Sequence, residues 1–311
     1  MAAATERVDP IQWIETNRER LESLLCEHGA ILFRGFSMRG TDAFSRFVDA
    51  ASSGRVKYTY RASPRREVAD RVYTSTEYPP EQRIFPHNEH AFSPVFPRKL
   101  FFYCQTPPAE GGETPIGSNR LIRTAIPPEI RARFMARGVR YIRNYGAHLG
   151  LPWQTVFQTQ EPSAVEAYCR EHELEWRWKE DGGLFTSQVG PAFIRHPVTG
   201  EEVWFNHATF FHVTTLSSEI REKLLSSYPD SELPNHTYYG DGSEIEPETL
   251  TALRAAYEGA MVRFSWQQGD VLLLDNLLAV HGRDAFRGPR QILVGMADPV
   301  EARTVRIAPN S

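Results

Sequence analysis

Hydrophobic positions along this chain of 311 residues follow two different periods. Near the start, Asp9-Pro10 and the run IQWIETNRERLESLLCEHG space their apolar residues three and four apart. That pattern predicts one helix, capped by Asp9, opened by Pro10 and closed at Gly29. Residues 30–36 (AILFRGF) follow as a short apolar strand. A second helix begins at Thr41 and sets Phe44, Phe47, Val48 and Ala51 on one face. From about Val56 the period shortens to aromatic, β-favouring runs broken by proline and glycine: VYTSTEYPP, KLFFYCQTPP and EGGETPIGS. Helical spacing returns near Pro128–Arg137, residues 163–173 and residues 217–227. Strand patterns then occupy residues 202–206, 262–266, Val271–Asp275 and residues 291–296. Strands towards both ends with helices inserted over about residues 120–230 predict a mainly β chain of the α+β class. One barrel or sandwich domain spanning 1–311 is expected, with residues 1–8 poorly ordered, because no break in composition divides the chain.

Composition narrows the function. Hydrophobic residues are 41% and charged residues 24%, the balance of a globular chain. Lysine and arginine number 35 against 39 acids, a net charge of −4, so a basic grip on nucleic acid is not expected. No apolar run approaches the ~18–20 residues of a bilayer span, and the first residues lack the apolar core of a signal peptide. Cys26, Cys104 and Cys169 are too few and too scattered for a disulfide framework or a cysteine-pair zinc site. A reducing cytoplasm is the expected compartment. Ten histidines remain as the pool of metal ligands.

One run among them has the spacing of a metal site. In IFPHNEHAF, His87 and Glu89 stand two apart, which on an extended strand points both side chains to one face. Alone this is weak, since 10 histidines and 39 acids in 311 residues give about 1.3 such pairs by chance. His281 adds to it, following the apolar run VLLLDNLLAV. Two histidines and a carboxylate cover one face of an octahedral iron(II), although zinc also uses three protein ligands in catalytic sites. Arg290, after Gly288-Pro289, can fork two hydrogen bonds to a distant carboxylate, with Arg283 and Arg287 as competitors. Thr114, after the Gly111-Gly112 turn, offers a hydroxyl to the same group.

Taken in order, GAILFRGF, VYTSTEYP, PHNEH, CQTPPAEGGETPIGS, RNY, HPVTGEEVWFN, YYGDG, WQQGDVLLLDNLLAVHGRDAF and PRQILVGMA cover nearly the whole chain. This series resembles the TauD/TfdA family of iron(II)- and 2-oxoglutarate-dependent dioxygenases, within the clavaminate synthase-like superfamily, and in particular its SyrP-type natural-product hydroxylases. The resemblance implies a double-stranded β-helix (jelly-roll) core. It implies His87, Glu89 and His281 as iron ligands, with Arg290 and Thr114 on the distal carboxylate of 2-oxoglutarate. Many family members carry aspartate where this chain has Glu89, and a carboxylate there argues against halogenation. The spacing from His281 to Arg290 is shorter than in several relatives. Dioxygen is the remaining cosubstrate, and no protein acid or base is assigned a catalytic role.

The expected reaction is oxidation, foremost hydroxylation, of an unactivated C–H bond in an amino-acid-derived small molecule. The substrate is free or held on a carrier-protein thiolation domain, and no membrane or nucleic acid takes part. Desaturation, cyclisation or epoxidation at the same site, and catabolism of a sulfonate, are the alternatives within the family; a non-catalytic metal-binding β-barrel is the alternative outside it. Asn206, ending VWFN, is a candidate substrate contact. His90 is expected to face away from the metal. His207 and His212, flanking Phe210-Phe211, could line the same mouth but are expected to be structural. Trp176 and Trp178 alternate like strand positions and are expected to pack. Asp275 and Asn276 are expected to brace the chain near His281. Glu77 has no assigned role.

Overall fold

The computed structural model describes Met1 and residues 8–36, 38–56, 60, 65–76, 78–146 and 150–307. Its centre is an antiparallel sheet of six strands, in the order Ala30–Phe33, Val271–Asp275, Val95–Thr106, Gln291–Glu301, Val72–Thr74 and Glu67–Ala69. Successive side chains point to opposite faces and both faces are covered, which explains why Val271–Leu274 and Leu100–Cys104 are apolar throughout. Val271, Leu273, Phe101 and Tyr103 face one layer, where Ile14, Leu21, Leu25, Phe44 and Phe47 of the N-terminal helices cover them. Leu272, Leu274, Leu100, Phe102 and Val294 face the other layer, against Ile116 and Ala279. Each such side chain contributes about 1.5–3 kcal/mol on burial, so the sheet is held from both sides.

Ile116 and Ala279 belong to a second antiparallel sheet of four strands: Met261–Val262, Ile116–Ser118, Ala279–Arg283 and Ile84–His87. The two sheets face each other as the double-stranded β-helix, and the smaller one carries both histidines of the metal motif. A third sheet joins Asn235–Tyr239, Val139–Tyr145, Leu184–Gly190 and Glu175–Trp178 beside this core. Among the described residues, no helix is long and apolar enough to cross a membrane.

Several sequence expectations change. The first helix is two, Pro10–Thr16 and Arg18–His28, because Asn17 folds its amide back onto the Trp13 carbonyl at 2.8 Å. Gly29 closes the second helix at φ 73°, as its position predicted. The interval 120–230 holds helices, but also the strands Val139–Tyr145, Glu175–Trp178 and Leu184–Gly190. Polar residues hid the first and the third, whereas Trp176 and Trp178 already alternate as strand positions do. Arg143, for instance, is buried with its guanidinium 4.8 Å from the Tyr60 and Phe92 rings and 5.0 Å from that of Tyr145. The strand expected at 262–266 shrinks to Met261–Val262. A helix over Pro247–Gly259 had no prediction, although Leu250, Leu253 and Tyr257 bury one helical face.

Candidate active site

His87 ends the strand Ile84–His87, and the antiparallel register sets it directly opposite His281. Their ring centroids lie 4.6 Å apart. Gly282 makes this close pairing possible, since a Cβ there would come within 2.8 Å of the Ile84 carbonyl oxygen. The His87 Nδ1–H donates to the Phe85 carbonyl at 2.9 Å, which leaves Nε2 with its lone pair for a ligand.

Glu89 reaches the same point by another route than expected. The strand stops at His87, so the two-residue alternation does not apply. Instead the chain turns, with His90 at φ 58° in the left-handed region, and Asn276 holds the turn. The turn still brings one donor atom each of His87, Glu89 and His281 within 4.8 Å of one another. It also keeps His90 at the site, where its Nε2 lies 3.7 Å from Glu89 Oε1, rather than facing away.

The protonation states suit metal binding. Burial pushes the Glu89 carboxyl up, but Arg65, His90, His87 and His281 outweigh it and hold the group well below the usual carboxylate range. Arg65 Nη2 donates to Glu89 Oε2 at 2.8 Å. Burial pushes both His87 and His281 down, so each imidazole is neutral. Two neutral imidazoles and an ionised carboxylate are the donor set a divalent iron accepts, so the residues fit the metal.

Thr114, Arg290, His87 and His281 line one small cavity. Arg290 is half-buried, its Nε donating to the Gly112 carbonyl at 3.0 Å, and no carboxylate among the described residues lies within ion-pair distance. Burial, with Arg283 nearby, pushes its guanidinium down to about 10. A cation kept in such a place is a receptor for an anion. Thr114 accepts from the Trp266 indole at 3.1 Å, which orients its hydroxyl. The competing arginines have other work. Arg283 clamps a loop through the carbonyls of Tyr78, Pro79 and Gln82, at 2.9, 2.6 and 2.6 Å. Arg287 has an 85% exposed side chain and sits 3.6 Å from Glu110. Glu77 lies outside the described residues.

On its other side His87 borders a larger cavity of about 480 Å³, whose wall includes Glu89, Phe92, His207, Phe210 and Phe211. Phe210 stacks on the His87 ring at 4.0 Å. Asn206 does not share this wall. Its amide nitrogen donates to the Ala192 carbonyl at 3.0 Å and its oxygen accepts from the Ala208 N–H at 2.9 Å. Both polar ends are spent on the turn, so the expected substrate contact is not formed. The neighbouring His207 borders the cavity instead, as does His212; both were weighed for its mouth and expected to be structural.

Residues 3–297 match the family described as taurine catabolism dioxygenase TauD, TfdA family. The chain is 42% identical over 280 residues to the dapdiamide synthesis protein DdaC of Enterobacter agglomerans, covering 90% of this chain and 85% of that one. It is 32% identical over 297 residues to a clavaminate synthase-like protein of Arabidopsis thaliana, covering 92% and 86%. The PvcB protein of Pseudomonas aeruginosa shares the fold, with a TM-score of 0.54 at 17% identity over 94% of this chain and 83% of that one. The chain belongs to the TauD/TfdA family, and it is an iron(II)- and 2-oxoglutarate-dependent oxygenase.

Proposed function

We propose that this oxygenase hydroxylates an unactivated C–H bond of an amino-acid-derived small molecule in natural-product biosynthesis. His87, Glu89 and His281 hold the iron, and Arg290 with Thr114 takes the distal carboxylate of 2-oxoglutarate. Bound together there, iron(II), 2-oxoglutarate and dioxygen supply a two-electron oxidation in which one oxygen atom enters the substrate and 2-oxoglutarate leaves as succinate and carbon dioxide. The observation that carries the reading is the place of His87, which borders the small cavity with Arg290 and also the large cavity lined by phenylalanines. Cosubstrate and substrate thus approach one metal site from two sides. The protein's part is to orient both, and its aromatic wall keeps water from the reacting carbon.

The likeness to a dapdiamide synthesis protein at 42% identity supports the substrate class. A carrier-protein thiolation domain is a possible bearer of that substrate, and cytoplasmic residence suits three cysteines of which none pairs. Product mass spectrometry tests the reading, with free amino acids set against the same acids loaded on a carrier. One added oxygen in either series supports it. Loss of two hydrogens marks a desaturase, and no succinate release with any member sinks the substrate class.

A further inference from the structure

His207 is unused by the chemistry so far, yet it is built as a binding group. It is 1% exposed and forms part of the wall of the large cavity. Its Nε2 lies 2.6 Å from the carbonyl oxygen of Asn88. A carbonyl only accepts, so Nε2 carries the proton and Nδ1 presents a bare lone pair. Among the described residues, that buried Nδ1 has no hydrogen-bond partner. A buried acceptor left unmatched is costly, and a donating ligand relieves it.

The surroundings restrict what can donate. The rings of Phe92, Phe210 and Phe211 lie 5.4, 5.0 and 4.7 Å from the imidazole, a dry aromatic box. The Arg143 guanidinium sits 4.8 Å from the Phe92 ring centroid, and two arginines line the cavity, Arg65 paired with Glu89 and Arg83 paired with Glu258. An ammonium entering here would meet the Arg65 and Arg83 guanidiniums, with the Glu89 carboxylate already committed to Arg65 and the metal. A neutral N–H carries no such penalty. We propose that His207 Nδ1 accepts a hydrogen bond from a neutral amide N–H of the substrate, and so selects amide-bearing amino-acid derivatives over the corresponding esters. This rests on the large cavity being the substrate site.

Nitrogen-15 NMR of histidine-labelled protein, loaded with zinc(II) in place of iron and with 2-oxoglutarate, tests the assignment directly. The His207 signals are identified by their loss in His207→Gln. Nδ1 should be unprotonated, and should shift on titration with N-methylacetamide but not with methyl acetate, which lacks the donor. A protonated Nδ1, an equal response to both probes, or a response to neither overturns the proposal. A second measurement uses the iron enzyme. Glutamine at 207 keeps a donor for the Asn88 carbonyl and removes the acceptor. The native enzyme should prefer an amide substrate to its ester by about ten- to a hundredfold in kcat/KM for succinate release. In His207→Gln that preference should fall towards one while the anaerobic iron–2-oxoglutarate absorption band persists. A preference unchanged in His207→Gln shows the ring to be a structural prop and overturns the proposal. If the NMR response holds but no amino-acid derivative releases succinate, the substrate class is wrong and the His207 assignment stands.

Discussion

Asn276 grips Glu89 by its main chain and leaves the carboxylate for other partners. Its Oδ1 accepts from the Glu89 N–H at 2.7 Å, while its Nδ2 donates to the carbonyls of Glu89 and Pro97 at 2.9 and 2.8 Å. The turn after His87 is therefore fastened to the strand end that leads into His281. Asn276→Ala strands buried polar groups, each worth roughly 1–3 kcal/mol. The variant should lose about 2–4 kcal/mol of stability by denaturant titration. Its affinity for iron(II) should fall about ten- to a hundredfold, as when other supports of a metal ligand are removed. Unchanged iron binding in a folded Asn276→Ala protein would contradict the brace.

The metal assignment has an optical test. Iron(II) and 2-oxoglutarate together, without oxygen, should give a weak visible charge-transfer band, absent with zinc. His87→Ala and His281→Ala should each abolish it. Iron at about a hundred times its Kd should also stabilise the native protein by about 2.7 kcal/mol, and neither variant should show that gain. A band that survives in both variants places the metal elsewhere.

The three arginines near the cosubstrate site should separate cleanly. Arg290→Ala removes the half-buried cation proposed to hold the distal carboxylate and should raise the 2-oxoglutarate requirement by about a hundredfold or more. Arg287→Ala, at an exposed position, should change it by less than about twofold. Arg283→Ala releases three carbonyls and should lower the unfolding temperature before it alters the requirement. Steady-state titration of 2-oxoglutarate on all three variants checks the order; a large rise confined to Arg283→Ala would move the binding role to that residue.

Acid should destabilise the protein through two histidines that are not metal ligands, His236 and His212. His236 Nδ1 accepts from the Val213 N–H at 3.2 Å, and His212 Nδ1 accepts from the Thr214 N–H at 3.3 Å. Burial pushes them down to about 4 and about 3, respectively, from an ordinary value of 6.5. Asp230, 4.0 Å from His236 Nε2, opposes the shift, while Arg254 adds to it at His212. The folded state then binds fewer protons than the unfolded one below pH 6.5. Their stabilisation is full above that pH and is lost as the pH falls towards about 4, at about 1.4 kcal/mol per pH unit for each histidine. Denaturant midpoints from pH 7 to 4 should show a shallower slope in His236→Gln by about one proton. Equal slopes would exclude His236 from the effect.

How far the sequence could be read follows the range of each interaction. Pro128–Arg137 and Val271–Asp275 fall where their patterns predicted, because a proline-opened helix and a strand of four consecutive apolar residues are set by neighbouring residues. Pro247–Gly259 had the same local signal, in its opening proline and the spacing of Leu250, Leu253 and Tyr257, and was open to the same reasoning. VRYIRNY was not. Its arginines look solvent-facing until Tyr60 and Phe92, distant in the chain, close over Arg143.

The site divides in the same way. Residue type and motif order were enough to pick out His87, Glu89, His281, Thr114 and Arg290, since metal and carboxylate binding need those functional groups and few others supply them. Only the tertiary structure decided that Glu89 arrives by a turn fastened to Asn276, that Arg283 and Arg287 have other partners, and that His207 rather than Asn206 borders the large cavity. Asn206 and His207 are adjacent and equally polar. Which of them spends its hydrogen bonds on the fold depends on Ala192 and Asn88, partners 14 and 119 residues away, and no local pattern records contacts at that distance.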